Sequence, residues 1–150
     1  MSLVAGAVLA TVTAASAYWS GAGAGSGTAG TAAATLSVSL TPGTPTAQLY
    51  PGSTAAVVLT ISNPDQASLH VSALALDTSQ GAGGFAVDGA HSGCTLDTLS
   101  FSTQTNGGAG WTVPGGGSLP VTLPEALVMG ASAADACQGA TFSVYLSAGA

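Results

Sequence analysis

The stretch AAVVLTISNPD, residues 55–65, carries the clearest structural signal in the chain. Ala55, Val57, Leu59 and Ile61 occupy alternate positions, and successive side chains of a β-strand point to opposite faces of a sheet. The run therefore predicts a strand with one buried face, which ends at the turn-forming Asn-Pro-Asp sequence.

The same period of two residues recurs along the chain, and turn-forming Gly, Pro and Asn residues separate the runs. The further candidate strands are residues 36–40, 69–76, 85–87, 95–102, 119–123 and 141–147. Seven or eight short strands without helical periodicity favour an all-β fold, an antiparallel β-sandwich of the immunoglobulin-like or jelly-roll type. Residues 126–136 are compatible with either a short helix or a loop.

The first 17 residues form an apolar segment that ends in Ala15-Ser16-Ala17, immediately before Tyr18. An apolar run followed by an A-x-A pattern is typical of a cleaved secretory signal peptide. No Lys or Arg precedes the run, so an apolar helix that stays in the mature protein is the alternative. Residues 18–34 contain mostly Gly, Ala, Ser and Thr, a composition typical of a flexible linker, and the β-sandwich is expected over residues 35–150.

The composition excludes several classes of function. The 150 residues contain no Lys or Arg and six acidic residues, which gives a formal net charge of -6. Such a chain cannot bind nucleic acid or an acidic membrane through positive charge, and it has no lysine nucleophile or arginine phosphate clamp. Ser and Thr dominate the positions expected to face outward, and uncharged edge strands favour pairing with other chains.

Cys94 and Cys137 are the only two cysteines. The signal-like N-terminus favours a disulfide formed in an oxidising compartment, and a bridge of this span contributes up to about 4 kcal/mol in the chain-entropy account. Two unrelated buried thiols are the alternative.

Candidate catalytic and metal-binding groups are few. His91, Cys94, Asp88 and Asp97 lie close in sequence, but their spacing matches no zinc motif, and a loop histidine is the preferred interpretation. A GxGxxG pattern at residues 25–30 follows no predicted strand and precedes no helical pattern, so glycine richness explains it. Because no group of residues supplies both a base and a nucleophile, we expect a protein that is not an enzyme and needs no cofactor.

Trp111 lies in a Gly- and Pro-rich stretch, where an exposed indole could stack on a sugar ring. It is therefore the candidate contact residue of an alternative function, a monomeric secreted module that binds cell-wall polysaccharide. Packing in a core or an interface is the commoner use of tryptophan.

Several short motifs follow one another in the first third of the chain. An apolar segment leads into Ala17-Tyr18-Trp19-Ser20, and a Gly/Ser/Thr stretch leads into the candidate strand at residues 30–38. Leu49-Tyr50-Pro51-Gly52-Ser53 and a strand ending in Ile61-Ser62-Asn63-Pro64 follow. In this order the chain resembles the secreted TasA/camelysin-type β-sandwich proteins and similar uncharacterised actinobacterial exported proteins, although the lysines of that family and its charged signal start are missing.

The resemblance implies a secreted structural subunit that forms extracellular fibres or a surface layer from copies of itself. Assembly would proceed by donor-strand exchange, in which an N-terminal segment completes a sheet of the next subunit. The implied assembly strand contains Leu36, Val38 and Leu40, and Tyr18 and Trp19 begin the N-terminal arm. Nucleic acid is not an expected partner.

Overall fold

A computed structural model describes residues 37–149 of the chain. The apolar N-terminal segment, the arm with Tyr18 and Trp19, and Leu36 of the proposed assembly strand lie outside the described residues. Residues 37–149 are mostly β-structure, with short 3-10 turns as their only helical elements, which confirms the all-β prediction. No helix within this range is long and apolar enough to cross a membrane.

Residues 37–149 contain eleven strands and four 3-10 turns, which loops connect. The strands are β1 (Ser39–Leu40), β2 (Thr44–Pro45), β3 (Thr54–Ser62), β4 (Leu69–Val71), β5 (Ala73–Leu76), β6 (Phe85–Val87), β7 (Leu99–Phe101), β8 (Trp111–Val113), β9 (Ser118–Met129), β10 (Phe142–Val144) and β11 (Leu146–Gly149). The 3-10 turns are Gly89–His91, Leu96–Thr98, Asn106–Gly108 and Asp135–Cys137.

The largest sheet has the antiparallel order β1-β3-β9-β7, and β2 also pairs with β3. Strand β3 is the strand that the alternating apolar residues predict. Ala55, Val57, Leu59 and Ile61 are all buried, because one face of β3 packs on the core while the other carries the more exposed positions.

Strand β9 is longer than the sequence predicts. It continues through Met129, so the helix or loop expected from residue 126 is wrong for the first four residues of that segment. The pairing with β3 passes from Val57 opposite Leu123 to Ala55 opposite Leu127, and three residues of β9 therefore face one of β3. This bulge includes Glu125 at φ 49°. A proline and an exposed acidic residue inside a strand hide its alternation from sequence inspection.

The remaining strands form three antiparallel pairs, β4 with β8, β5 with β11 and β6 with β10. Only Tyr145 separates β10 from β11, so the two strands follow each other almost without a break and are called here the β10–β11 line. Strand β6 pairs with β10 and β5 pairs with β11, and residues 77–84 connect β5 to β6. Phe142, Val144 and Leu146 are buried on one face of that line, as the sequence predicts.

Gly43, which lies between β1 and β2, connects the largest sheet with the β10–β11 line. It exchanges backbone hydrogen bonds of 2.7 and 2.8 Å with Val144, while its neighbours pair with β3. A Cβ at position 43 would lie 2.5 Å from Cγ1 of Val57, so any larger residue at this crossing would have to displace the Val57 side chain. The antiparallel sheets thus curl around one continuous apolar core.

Two further features fix the loops. Cys94 and Cys137 form a disulfide with a Cα–Cα distance of 4.6 Å, which confirms the bridge and rules out two unrelated thiols. Asn63, which is 1% exposed, donates from Nδ2 to the carbonyls of Ala67 and Val113, and its Oδ1 accepts from the N–H of Asp65. The amide therefore ties the turn after β3 to the end of β8.

Candidate functional site

An apolar groove with a volume of about 850 Å³ lies between β6 and β7. One wall comes from the end of β5 and from β6, and the other comes from β7 and the 3-10 turn before it. The apolar side chains in the walls are Leu76, Phe85, Val87, Leu96, Leu99 and Phe101. Phe85 and Leu99 are buried, whereas the other four remain partly exposed.

The backbone of β6 offers an open edge to this groove. The N–H of Asp88 donates to the carbonyl of Thr141 at 3.0 Å, and the N–H of Tyr145 donates to the carbonyl of Gly84. Residues 84 and 88 therefore direct backbone groups toward the β10–β11 line. Because these groups alternate in direction along an antiparallel strand, those of Phe85 and Val87 point away from that line. Phe85 already exchanges hydrogen bonds of 2.8 and 3.3 Å with Ala82, so the open groups of β6 are the N–H and carbonyl of Val87.

Strand β7 offers a second open edge. The N–H of Gly130 donates to the carbonyl of Thr98 at 2.8 Å, and the N–H of Ser102 donates to that of Ala126 at 3.0 Å. By the same alternation, the backbone groups of Leu99 and Phe101 face away from β9. The N–H of Leu99 is bonded to the carbonyl of Leu96, which leaves its carbonyl and both groups of Phe101 toward the groove.

No further strand pairs with β6 or β7 on these sides in residues 37–149. Among residues 37–149, β6 and β7 thus each keep backbone groups without a strand partner beside an apolar groove, and an extended segment can add to such an edge by main-chain hydrogen bonds. Soon after β7 the chain reaches β5, where Gln104 exchanges backbone hydrogen bonds of 2.8 and 2.9 Å with Leu74.

The disulfide and Asp88 hold the loops beside the groove. Cys94 lines the groove itself, and its bond to Cys137 ties that wall to the segment before β10. Asp88 accepts hydrogen bonds from the N–H of Thr141 at 2.6 Å and from the N–H of Ala90 at 3.0 Å. Nδ1 of His91 lies 2.8 Å from the same carboxylate. Hydrogen bonding by Thr141 first, and then by His91, lowers the pKa of Asp88 to about 2.

The structure also shows whether the residues around His91 and Cys94 can form the metal site that the sequence raises. His91 ends the 3-10 turn Gly89–His91, and Cys94 is not a thiolate because it is in the disulfide. Within residues 37–149, no three His, Cys, Asp or Glu side chains lie close enough together to hold a metal ion.

The proposed assembly strand is only partly within the described residues. Ser39 and Leu40 form β1 and pair with Ser62 and Ile61 of the same chain. Val38 and Leu40 are half-buried against the core. The described part of this segment therefore lies on the edge of β3 of its own subunit, and the pairing continues where the N–H of Thr41 donates to the carbonyl of Thr60 at 3.1 Å.

Trp111 lies on β8, half-buried, and lines a smaller, separate cleft. The sequence predicts the strands at residues 85–87 and 95–102, but not that both line the same groove. No signal in the sequence gives that arrangement, because it depends on which strands are neighbours across the core.

No protein-family model, curated protein or solved structure matches this chain.

Proposed function

We propose that the protein is a secreted, non-enzymatic structural subunit that assembles into extracellular fibres or a surface layer by non-covalent strand addition. Its curled sheets would form a two-layer sandwich of the immunoglobulin-like or jelly-roll type. The observation that carries the proposal is the groove between β6 and β7, where two strands keep open backbone groups beside an apolar surface within residues 37–149.

The occupant of the groove would be the N-terminal segment of a neighbouring copy, residues 18–40. Its sequence Leu36-Ser37-Val38-Ser39-Leu40 alternates apolar and polar residues, so an inserted strand would turn three apolar side chains into the groove and two serines outward. Among its described residues, Ser39 and Leu40 pair with Ser62 and Ile61 of the same chain, and Val38 and Leu40 are half-buried against the core. Insertion into a neighbouring copy would therefore first break these contacts.

Strand insertion would bury side chains that are now partly exposed. Full burial of a Leu, Val or Phe side chain contributes roughly 1.5–3 kcal/mol, and Leu76, Val87, Leu96 and Phe101 each retain exposed surface. Each new backbone hydrogen bond adds on the order of 1 kcal/mol. Together these contributions are large enough to offset the entropy of ordering a short segment.

Charge would oppose such an assembly only weakly. Asp97 is the only charged residue among those lining the groove, and no lysine protects either edge, although edge lysines are a common device against unwanted strand pairing.

Negative-stain electron microscopy of the purified full chain tests the proposal, because we expect regular filaments that disappear when residues 18–40 are deleted. Leu96→Asp places a charge in the groove and should also abolish the filaments. Val58→Asp is the matched control, since Val58 is 36% exposed on the outer face of β3 and lies outside the groove.

Filaments that persist after the deletion, or that Val58→Asp removes as effectively as Leu96→Asp, would contradict the strand mechanism. A full chain that remains monomeric at high concentration would contradict the function itself. Far-UV circular dichroism establishes that each variant is folded.

A further inference from the structure

A second cleft lies beside β8 and β9, away from the assembly groove, and its volume is about 240 Å³. Its walls combine three apolar side chains, of Trp111, Leu123 and Pro124, with uncharged polar ones. The polar ones include Thr103, Gln104, Asn106 and Thr122. No charged residue lines it.

The backbone is strained at two places around this cleft. Within residues 37–149 only two non-glycine residues have positive φ, Asn106 at 52° and Glu125 at 49°. Asn106 is in the wall of the cleft, and Glu125 follows Pro124 in the bulge of β9. Conformations of this kind cost free energy and concentrate at ligand sites, and bulges commonly redirect side chains beside such sites.

Hydrogen bonds within the protein fix the polar groups of the cleft. Nδ2 of Asn106 donates to the carbonyl of Gly110 at 2.7 Å. Nε2 of Gln104 donates to the carbonyl and the hydroxyl of Ser102, each at 3.0 Å. Because both amide nitrogens donate hydrogen bonds within the protein, the amide oxygens remain available as acceptors for a ligand. The threonine hydroxyls can donate or accept.

We infer that this cleft binds a sugar ring of an uncharged polysaccharide. The apolar face of a pyranose would contact Trp111, while the ring hydroxyls would bond to the amide oxygens and threonine hydroxyls. A few placed polar groups around an aromatic surface are the usual composition of a small-ligand site. Anionic glycans are disfavoured because the chain has no Lys or Arg and Glu125 lies next to the cleft.

This inference does not depend on filament assembly, and affinity electrophoresis of the full chain tests it. The protein carries a formal net charge of -6, so it migrates toward the anode, and a polysaccharide cast in the gel slows it only if the two bind. The probes are β-glucan, mannan, xylan and dextran, with polygalacturonate as the anionic comparison. Co-sedimentation with purified insoluble wall polysaccharide distinguishes a wall-bound source from a soluble one.

We expect at least one uncharged polysaccharide to retard the wild-type chain. Trp111→Ala should abolish the retardation, and Thr122→Val, which removes one hydroxyl from the wall, should weaken binding roughly twofold to tenfold. Thr54→Val is the matched control, because Thr54 is an exposed strand threonine outside the cleft, and it should bind like wild type.

The inference is overturned if no uncharged polysaccharide retards the protein, if only polygalacturonate does, or if Trp111→Ala and Thr122→Val bind as well as Thr54→Val. If Trp111→Ala does not fold, Thr122→Val and Thr103→Val decide the outcome, since both retain the shape of the threonine side chain.

Discussion

The disulfide offers the most quantitative test of the fold. Cys94 and Cys137 are 43 residues apart in sequence, and the entropy lost when an unfolded loop of that length is closed corresponds to about 4 kcal/mol at 25 °C. We expect the double variant Cys94→Ala/Cys137→Ala to lose about that much free energy of unfolding. Since both cysteines are buried, the lost side-chain packing adds to the effect.

For a folded unit of this size, a loss of 4 kcal/mol lowers Tm by roughly 12–20 °C. Scanning calorimetry and urea unfolding of the wild type and the double variant measure both quantities, and the oxidised and reduced wild type provide an internal comparison. The m-value should rise slightly in the variant, because its unfolded chain is no longer cross-linked and exposes more surface. A loss below about 1 kcal/mol would refute the reasoning, since the bridge would then restrict neither the unfolded chain nor the loops beside the groove.

Two further predictions concern single polar side chains. Asn63→Ala leaves the carbonyls of Ala67 and Val113 without their side-chain donor, and urea unfolding should show a loss of about 2–3 kcal/mol in the free energy of unfolding. Gln66→Ala, at an exposed position of the same turn, should lose almost nothing. Equal losses in the two variants would contradict the role of Asn63. Asp88 has its pKa lowered from 3.8 to about 2, so its contribution to stability is fully present above pH 4 and is lost as the pH falls through about 2. The stability difference between wild type and Asp88→Asn should therefore shrink between pH 4 and pH 2 in thermal melts, and a difference independent of pH would contradict this.

The sequence predicts the parts of the fold where one face of a strand is buried without interruption. The four alternating residues of β3 and the three of β10–β11 are buried as expected, because the period of a strand is fixed by backbone geometry. The disulfide is also predicted, since only two cysteines are present and the signal-like N-terminus favours an oxidising compartment.

Prediction fails where a bulge or a break interrupts the alternation. Pro124 and Glu125 interrupt the pattern inside β9, and Ser72 separates β4 from β5, so that Leu74 becomes buried although it lies on the opposite parity to buried Val71. Local sequence does not determine these shifts, because they depend on the fit between neighbouring strands.

The candidate site was harder to predict than the fold. Phe85 and Phe101 are 16 positions apart in sequence, and only the strand order brings β6 and β7 to the same groove. The sequence instead indicates the segment with Leu36, Val38 and Leu40, whose alternation is local. A candidate donor segment can thus be proposed from the sequence, whereas the groove proposed to accept it is visible only in the structure.

The central claim, that residues 18–40 of one copy enter the groove of another, is tested most directly by photo-crosslinking within assembled material. Val38 is replaced by p-benzoylphenylalanine in an equal mixture of ¹⁴N- and ¹⁵N-labelled chains. The crosslinked peptides are released with chymotrypsin or pepsin, since the chain has no Lys or Arg for trypsin, and are identified by mass spectrometry. Strand exchange between copies should give crosslinks of mixed isotope composition between position 38 and peptides of β6 or β7. Crosslinks confined to chains of one isotope, with position 38 joined to residues near Ile61, would show that the strand stays on its own subunit and would contradict the account.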